Sequence, residues 1–311
     1  MYDPALSTLI SAAVLRLQSE LAQAAPLMAQ PVEDWIRQLS APREPGDYFK
    51  HPLAFPALLL PWWLEQTLAD APDPALQADL IYSTINGYYY IRLIDNLMDG
   101  QATVELKLLP ALGFFHTQFQ LAYQRYFEAG HPFWNLFQAV WFQSAEAAWH
   151  DAALLEIDEV QFEQIAAQKV CAAKIPLAAV CYRRSRVDLI EPWSNFVDRL
   201  GCWHQMLNDL LGWHRDFSRG AVTYFLSEAG RRRSPDEPLA GWVAGEGYSW
   251  ALSKLDTWMS ALQQATLELG SPDLVNYLET RQAMLLRQQI EVSAGLRHLA
   301  RLVTVAGSMP T

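Results

Sequence analysis

The stretch Asp70-Ala71-Pro72-Asp73-Pro74-Ala75-Leu76-Gln77-Ala78-Asp79-Leu80-Ile81-Tyr82-Ser83-Thr84-Ile85-Asn86-Gly87-Tyr88-Tyr89-Tyr90-Ile91-Arg92-Leu93-Ile94-Asp95-Asn96-Leu97-Met98-Asp99-Gly100 decides the fold. Its Pro- and Asp-rich start is helix punctuation, and Gly100 marks a stop. Between them apolar residues recur at three- and four-residue spacing, which predicts a helix over 75–99. The same spacing recurs over 5–24, 53–69, 103–128, 132–149, 156–184, 187–218, 239–268 and 272–304. Breaks fall at Pro42-Arg43-Glu44-Pro45-Gly46, at Gly130-His131-Pro132, at Glu191-Pro192, in the charged loop 231–238 and at Ser271-Pro272-Asp273. No run of alternating strands and no fixed repeat stands out. The expectation is a single all-α domain over 1–311. Residues 1–45 are expected to form peripheral N-terminal helices, and helices this apolar on most faces suggest a helical bundle around a central helix pair.

Composition narrows the function. The chain has 311 residues, 51% apolar and 18% charged, which is too apolar for disorder. Its formal charge of −11 argues against a nucleic-acid partner, because such binding rests on Lys and Arg neutralising phosphates. Phosphorylated small molecules stay open, since a bound metal reverses the local sign. Twelve Trp, twelve Tyr and thirteen Phe supply an aromatic core, with rings to spare for an apolar cavity. Three cysteines without a Cys-x-x-Cys suit a reducing cytosol rather than a disulfide framework. Met1-Tyr2-Asp3-Pro4 does not read as a signal peptide, and the apolar run 53–64 is too short to span a bilayer. A cytoplasmic protein without a transmembrane segment is expected. No Gly-x-Ser-x-Gly, dinucleotide fingerprint or phosphate-cradling Gly loop occurs.

Two segments carry chemistry. Asp95 and Asp99 are i and i+4, so both carboxylates project from one helix face. Their flanks are apolar, and a hard cation such as Mg²⁺ would relieve their repulsion. Arg92 lies one turn earlier, able to orient Asp95 or to bind an anion, and Tyr88 one turn before that. In the second segment, 201–216, Asn208, Gly212 and Asp216 line up at i, i+4 and i+8. Gln205 and Asp209 form an adjacent row. Oxygen-bearing side chains on one stripe, with a Gly between, leave room for an ion and its waters. His204 and His214, ten residues apart, form no metal pattern.

Arg92-x-x-Asp95-x-x-x-Asp99-Gly100 resembles the aspartate-rich motif of squalene and phytoene synthases, and Asp95-Asn96-x-x-Asp99 that of class I terpene synthases. Leu200-Gly201-x-x-x-Gln205-x-x-Asn208, continued by Asp216-x-x-Arg219-Gly220 and Tyr224, resembles the second motif of squalene and phytoene synthases. One position departs: Gly212 stands where those enzymes carry Asp. The string Asn208-Asp209-Leu210-Leu211-Gly212-x-x-x-Asp216 is similar to the terpene synthase metal motif, with Gly for its hydroxyl residue and Asp for its Glu. The resemblance to the class I isoprenoid synthase superfamily implies an all-α catalytic domain and about three Mg²⁺ ions. It implies Asp95, Asp99, Asn208 and Asp216 as metal ligands, with Asp209 beside them. Arg92, Lys174, Arg215, Tyr88, Gln205 and Arg219 would then face a prenyl diphosphate. The first expectation is a terpene synthase that ionises one allylic diphosphate. A condensing prenyltransferase and a non-catalytic isoprenoid-binding relative are the alternatives. Dimers are common in that superfamily, so a homodimer is an open expectation.

Overall fold

The computed structural model describes the backbone of residues 2–98 and 105–307, and the side chains of these up to residue 289, those at 105 and 152 excepted. The described chain is all-α, with no strand among the described residues. In order come α1 (Pro4–Ala24), α2 (Pro26–Ser40), α3 (Pro45–Tyr48), α4 (Leu59–Leu68), α5 (Pro74–Met98), α6 (Ala111–Gln124), α7 (Phe133–Ala153), α8 (Glu159–Lys169) and α9 (Lys174–Arg183). Then follow α10 (Ile190–Ser218), α11 (Tyr224–Arg232), α12 (Leu239–Trp242), α13 (Tyr248–Leu269) and α14 (Pro272–Gly307). Contacts divide the chain into two compact units. One comprises Met1–Leu155 with Glu163–Gly201, the other Glu156–Phe162 with Cys202–Thr311.

The first unit is built around α5. Asp73 starts this helix: its Oδ1 accepts from the backbone N–H groups of Ala75 (2.9 Å) and Leu76 (3.3 Å), two donors that have no partner inside the helix. Helix α5 packs chiefly against α6 and α1. Leu76, Leu80, Ile81, Ile85, Tyr89 and Leu93 are buried. So are Gln77, Asp79, Ser83 and Asn86, so the helix is enclosed on more than one face. The N-terminal pair shares this core. Leu6, Ile10, Leu17 and Leu21 of α1 are fully buried, and Trp35 of α2 packs edge-on against Tyr89.

Several readings differ from the sequence expectation. The span over 53–69 is helical only from Leu59, and Glu191-Pro192 lies in the first turn of α10 rather than at a break. The helix expected over 156–184, with a kink expected from Pro176, is broken instead at 170–173, before that proline. A helix restarts at Lys174, so Pro176 falls in the first turn of α9, where a missing N–H costs nothing. The expected span 103–128 becomes a 3-10 turn at Glu105–Leu108 followed by α6.

The second unit holds the C-terminal part of α10 with α11–α14. Phe162, Tyr224 and Trp258 stack, with ring centroids 4.7 and 5.6 Å from Phe162. Arg231 of α11 donates to the Ile157 carbonyl at 2.7 Å, tying 156–162 to this unit. Helix α11 has no counterpart among the spans read from the sequence. It is nine residues long, and Thr223 caps it by accepting from Leu226 N–H at 3.2 Å. Among the described residues no single helix is long and apolar enough to cross a membrane.

Gly201 of α10 sits where α10 meets α8. A Cβ there would lie 2.4 Å from Val170 Cγ2 and 2.9 Å from the Ala166 carbonyl oxygen, which is backbone and cannot swing away. Gly201→Ala gains about 1 kcal/mol of helix propensity. Overpacking costs more, about 1–3 kcal/mol. The variant should therefore unfold at lower denaturant than the parent, by up to about 2 kcal/mol. An unchanged or higher urea midpoint would refute the close approach.

Candidate functional site

The first motif occupies the last turns of α5. Arg92 Nη1 lies 3.6 Å from Asp95 Oδ2, across one helical turn. The Asp95 side chain is 42% exposed, in turns where Leu93 and Asn96 are buried and Met98 is exposed. Arg92 Nε is buried and has no hydrogen-bond partner among the described residues. A guanidinium with an unspent buried donor, beside a half-exposed carboxylate, offers both an anion contact and a cation ligand. Asp99, the second carboxylate of the motif, lies outside the described residues.

Tyr88 closes the inner side of this end of α5. Its hydroxyl is hydrogen-bonded to that of Tyr48. The Tyr88 ring lies 5.6 Å from Tyr48 and 5.2 Å from Phe49. Burial and the neighbouring phenol push the Tyr88 hydroxyl far above its ordinary pKa, so it stays protonated. Tyr48 and Phe49 were not singled out from the sequence. They lie in a short Pro-punctuated segment with no periodicity to place it.

The second motif lies in α10. Asn208 is exposed, whereas Asp209 is 3% exposed and accepts from Gln205 Nε2 at 2.8 Å. Neighbours along a helix point about 100° apart, so the open side of the stripe belongs to Asn208 and the enclosed side to Gln205 and Asp209. Farther along, Arg215 Nε donates to Asp216 Oδ1 at 3.0 Å. Gly212 leaves a notch here. A Cβ at that position would come within 2.8 Å of Arg215 Nη2 and 3.0 Å of Asp216 Oδ2. The bare Gly212 therefore lets the Asp216 carboxylate fold back along the stripe. Asn208 and Asp216 present uncharged and charged oxygen donors, the set a hard divalent cation takes. Among the described residues, which do not include Asp99, no three His, Cys, Asp or Glu side chains converge.

Arg219 is exposed at the end of α10. Gly220 there has φ +67°, and Ala221 N–H closes back onto the Asp216 carbonyl at 2.9 Å. This is a left-handed helix stop, a position that favours glycine. Tyr224 opens α11, buried, with its hydroxyl 3.4 Å from Glu159. His204, one turn before Asn208, is pushed down to about 4 by burial and by Arg281, so its imidazole stays neutral.

Lys174 is engaged elsewhere on the first unit. Its Nζ sits 2.6 Å from Asp198 Oδ1 and 2.7 Å from Oδ2, with the side chain 15% exposed. Asp198 was not singled out from the sequence, although it precedes Gln205 by seven residues on the same helix. Lys169, the nearest alternative cation, is paired with Asp151.

Compared with known proteins, the chain matches no protein-family model, and no curated protein matches it.

The Lys174–Asp198 pair gives a pH signature. Burial raises the Asp198 carboxyl above its ordinary pKa, and Lys174 opposes that rise. Lys174→Met removes the opposition, so the folded-state value climbs further. A carboxyl raised in the folded state costs stability at pH values above it and regains it when protonated. The variant should lose about 2 kcal/mol at pH 7.5. The loss should shrink as pH falls towards 4. Urea midpoints at both pH values test this; an equal loss at each would contradict it.

Proposed function

We propose that the chain is a class I terpene synthase, using Mg²⁺ to ionise an allylic prenyl diphosphate and releasing pyrophosphate. What carries the reading is a repeated pairing. The first motif sets Arg92 beside Asp95 and the second sets Arg215 beside Asp216, each carboxylate on a helix otherwise rich in apolar residues. The same side-chain chemistry is thus available twice: a carboxylate for a cation and a guanidinium for an oxyanion.

Asp95 and Asp99 on the first unit, and Asn208 and Asp216 on the second, are the metal ligands that the family resemblance implies, with Asp209 buried beside Asn208. Mg²⁺ bound there would neutralise charge on the diphosphate and so make it a better leaving group. Arg92 on α5, and Arg215 and Arg219 at the end of α10, each offer N–H donors of the kind that diphosphate oxygens accept. Such donors stabilise the leaving group as its negative charge grows. Gln205 keeps Asp209 fixed through its hydrogen bond. Lys174 contacts the diphosphate only if shared with Asp198. Tyr88, with its protonated hydroxyl and its ring among Tyr48, Phe49 and Tyr89, offers a π-face to the allylic cation.

The left-handed stop at Gly220 accounts for the Arg219-Gly220 match as a helix terminus. That match therefore gives no separate support to a condensing prenyltransferase. A cytoplasmic location, read from the cysteines and the N-terminal sequence, and a homodimer, implied by the family resemblance, belong with the proposal.

The test incubates the purified chain and Mg²⁺ with geranyl, farnesyl or geranylgeranyl diphosphate, each with and without isopentenyl diphosphate. Pyrophosphate release and a product of unchanged carbon number are expected. A doubled or five-carbon-extended product would identify a prenyltransferase instead. Release from none of the substrates would favour a non-catalytic isoprenoid-binding relative. Asp95→Ala should lower pyrophosphate release by about 100-fold or more with unchanged circular dichroism. Gly212→Ser should remain active, because the atoms it meets are the free ends of Arg215 and Asp216.

A further inference from the structure

A cleft of about 410 Å³ opens between α1 and α6 of the first unit, lined by no residue of either motif. Arg16, Glu20, Gln118, Leu121, Gln124 and Arg125 line it. We propose that it binds a hydrogen-bearing phosphate oxyanion, inorganic hydrogen phosphate, independently of the activity proposed above.

The argument starts with Asp79 of α5. It is 5% exposed and accepts from Arg16 Nη1 (2.8 Å), Arg125 Nη1 (3.1 and 3.2 Å) and the Tyr126 hydroxyl (2.9 Å). One buried carboxylate therefore holds two guanidiniums side by side at the wall of the cleft. Both donate to the same Oδ1, so their nitrogens are no farther apart than the two bonds laid end to end. Arg16 is fixed further. Its Nε donates to Glu20 at 2.7 Å, and its guanidinium carbon lies 3.8 Å from the Tyr82 ring centroid. Each guanidinium carries five N–H donors in a planar fork and never loses its proton in the physiological range. Arg16 Nη2, and Nε and Nη2 of Arg125, have no hydrogen bond among the described residues. The Arg125 side chain is 62% exposed, so these donors are reachable.

Charge alone would not draw an anion here. Two guanidiniums face two carboxylates, Asp79 and Glu20. The attraction comes from directed donors on a prearranged pair, and the presence of Glu20 selects among anions. Glu20 accepts from Arg16 and from the Tyr82 hydroxyl, which occupies about two of the roughly four acceptor positions a carboxylate has. A phosphate that keeps one proton can fill a remaining position by donating to Glu20. Sulfate has no proton to give near neutral pH, and its charge would meet Glu20 without a compensating bond. The volume lies within the range of about 300–1,000 Å³ that small-molecule sites occupy. Gln118 and Gln124 add amide donors at the rim.

The experiment is titration calorimetry of the full chain in EDTA, without divalent metal, against inorganic phosphate and then against sulfate. Saturable one-to-one binding of phosphate is expected, with sulfate at least ten-fold weaker. Arg125→Gln should weaken phosphate at least ten-fold. It should still fold, because Asp79 keeps Arg16 and Tyr126. Leu121→Trp, at a position 42% exposed, should block the cleft without changing any charge. Asp95→Ala should bind phosphate as the parent does, which separates this site from the proposed diphosphate site. No saturation at tens of millimolar phosphate, equal affinity for sulfate, or an unaltered Arg125→Gln would each overturn the proposal.

Discussion

The constraint on which the first unit depends is the polar content of α5. A helix buried on several faces must satisfy every polar side chain it takes inside, or lose about 1–3 kcal/mol for each one left bare. Helix α5 takes in several, and three of them reach a neighbouring element. Gln77 donates to Glu65 and to the Pro61 carbonyl of α4. Asp79 gathers Arg16 of α1 with Arg125 and Tyr126 just beyond α6. Ser83 donates to the Phe119 carbonyl of α6. Apolar burial could be met by helices in many rotations. These bonds can be met in few, so the polar residues set the register that the apolar ones fill. Glu65 repeats the logic: fully buried, it takes Gln77 from α5 and Arg184 from the end of α9.

This division explains what was legible. Periodicity reports which residues are apolar and how they are spaced, and on that basis α1, α5, α7, α10 and α14 were readable almost to their ends. It does not report hydrogen bonds. The break at 170–173 lies in an unbroken apolar pattern, and only the position of Pro176 hinted at it. The proline marks a helix start, where its missing N–H is harmless, and not a kink. Helix α11 escaped because its nine residues include Glu228, Arg231 and Arg232, which mask two turns of apolar spacing. Those charges are there to pair: Glu228 takes both arginines, and Arg231 also reaches Glu156.

In the candidate site, the i, i+4 geometry of local motifs was legible and distant partners were not. Arg92 and Asp95 meet as their spacing requires. Gln205 and Asp209 do likewise, although the bond turns them away from the open side of Asn208. Lys174 and Asp198 are 24 residues apart, and no local rule joins them. The glycines of α10 and its end show how much one residue type conceals. Gly201 is small because the Ala166 carbonyl and Val170 crowd it. Gly220 is glycine because φ is +67°. Gly212 is neither crowded by backbone nor left-handed, and only the ends of Arg215 and Asp216 occupy its notch.

That difference weighs on function. A glycine explained by packing or by a positive φ is used up by the fold, and its place in a motif needs no chemistry. Gly201 and Gly220 are of this kind, so the parts of the second motif that contain them are what any closely packed, sharply ended helix would carry. Gly212 has no such explanation. A Ser or Ala in its place would raise helix propensity by a few tenths to about 1 kcal/mol, and nothing rigid forbids it. What the glycine leaves is a notch that the flexible ends of Arg215 and Asp216 fill, along a stripe that begins with an exposed Asn. Those ends can swing aside for an ion, for its waters or for a hydroxyl side chain. The weight of the second motif therefore lies with the Arg215–Asp216 pair and the notch beside it, at the position that departs from the squalene and phytoene synthase pattern, rather than with the glycines that agree with it.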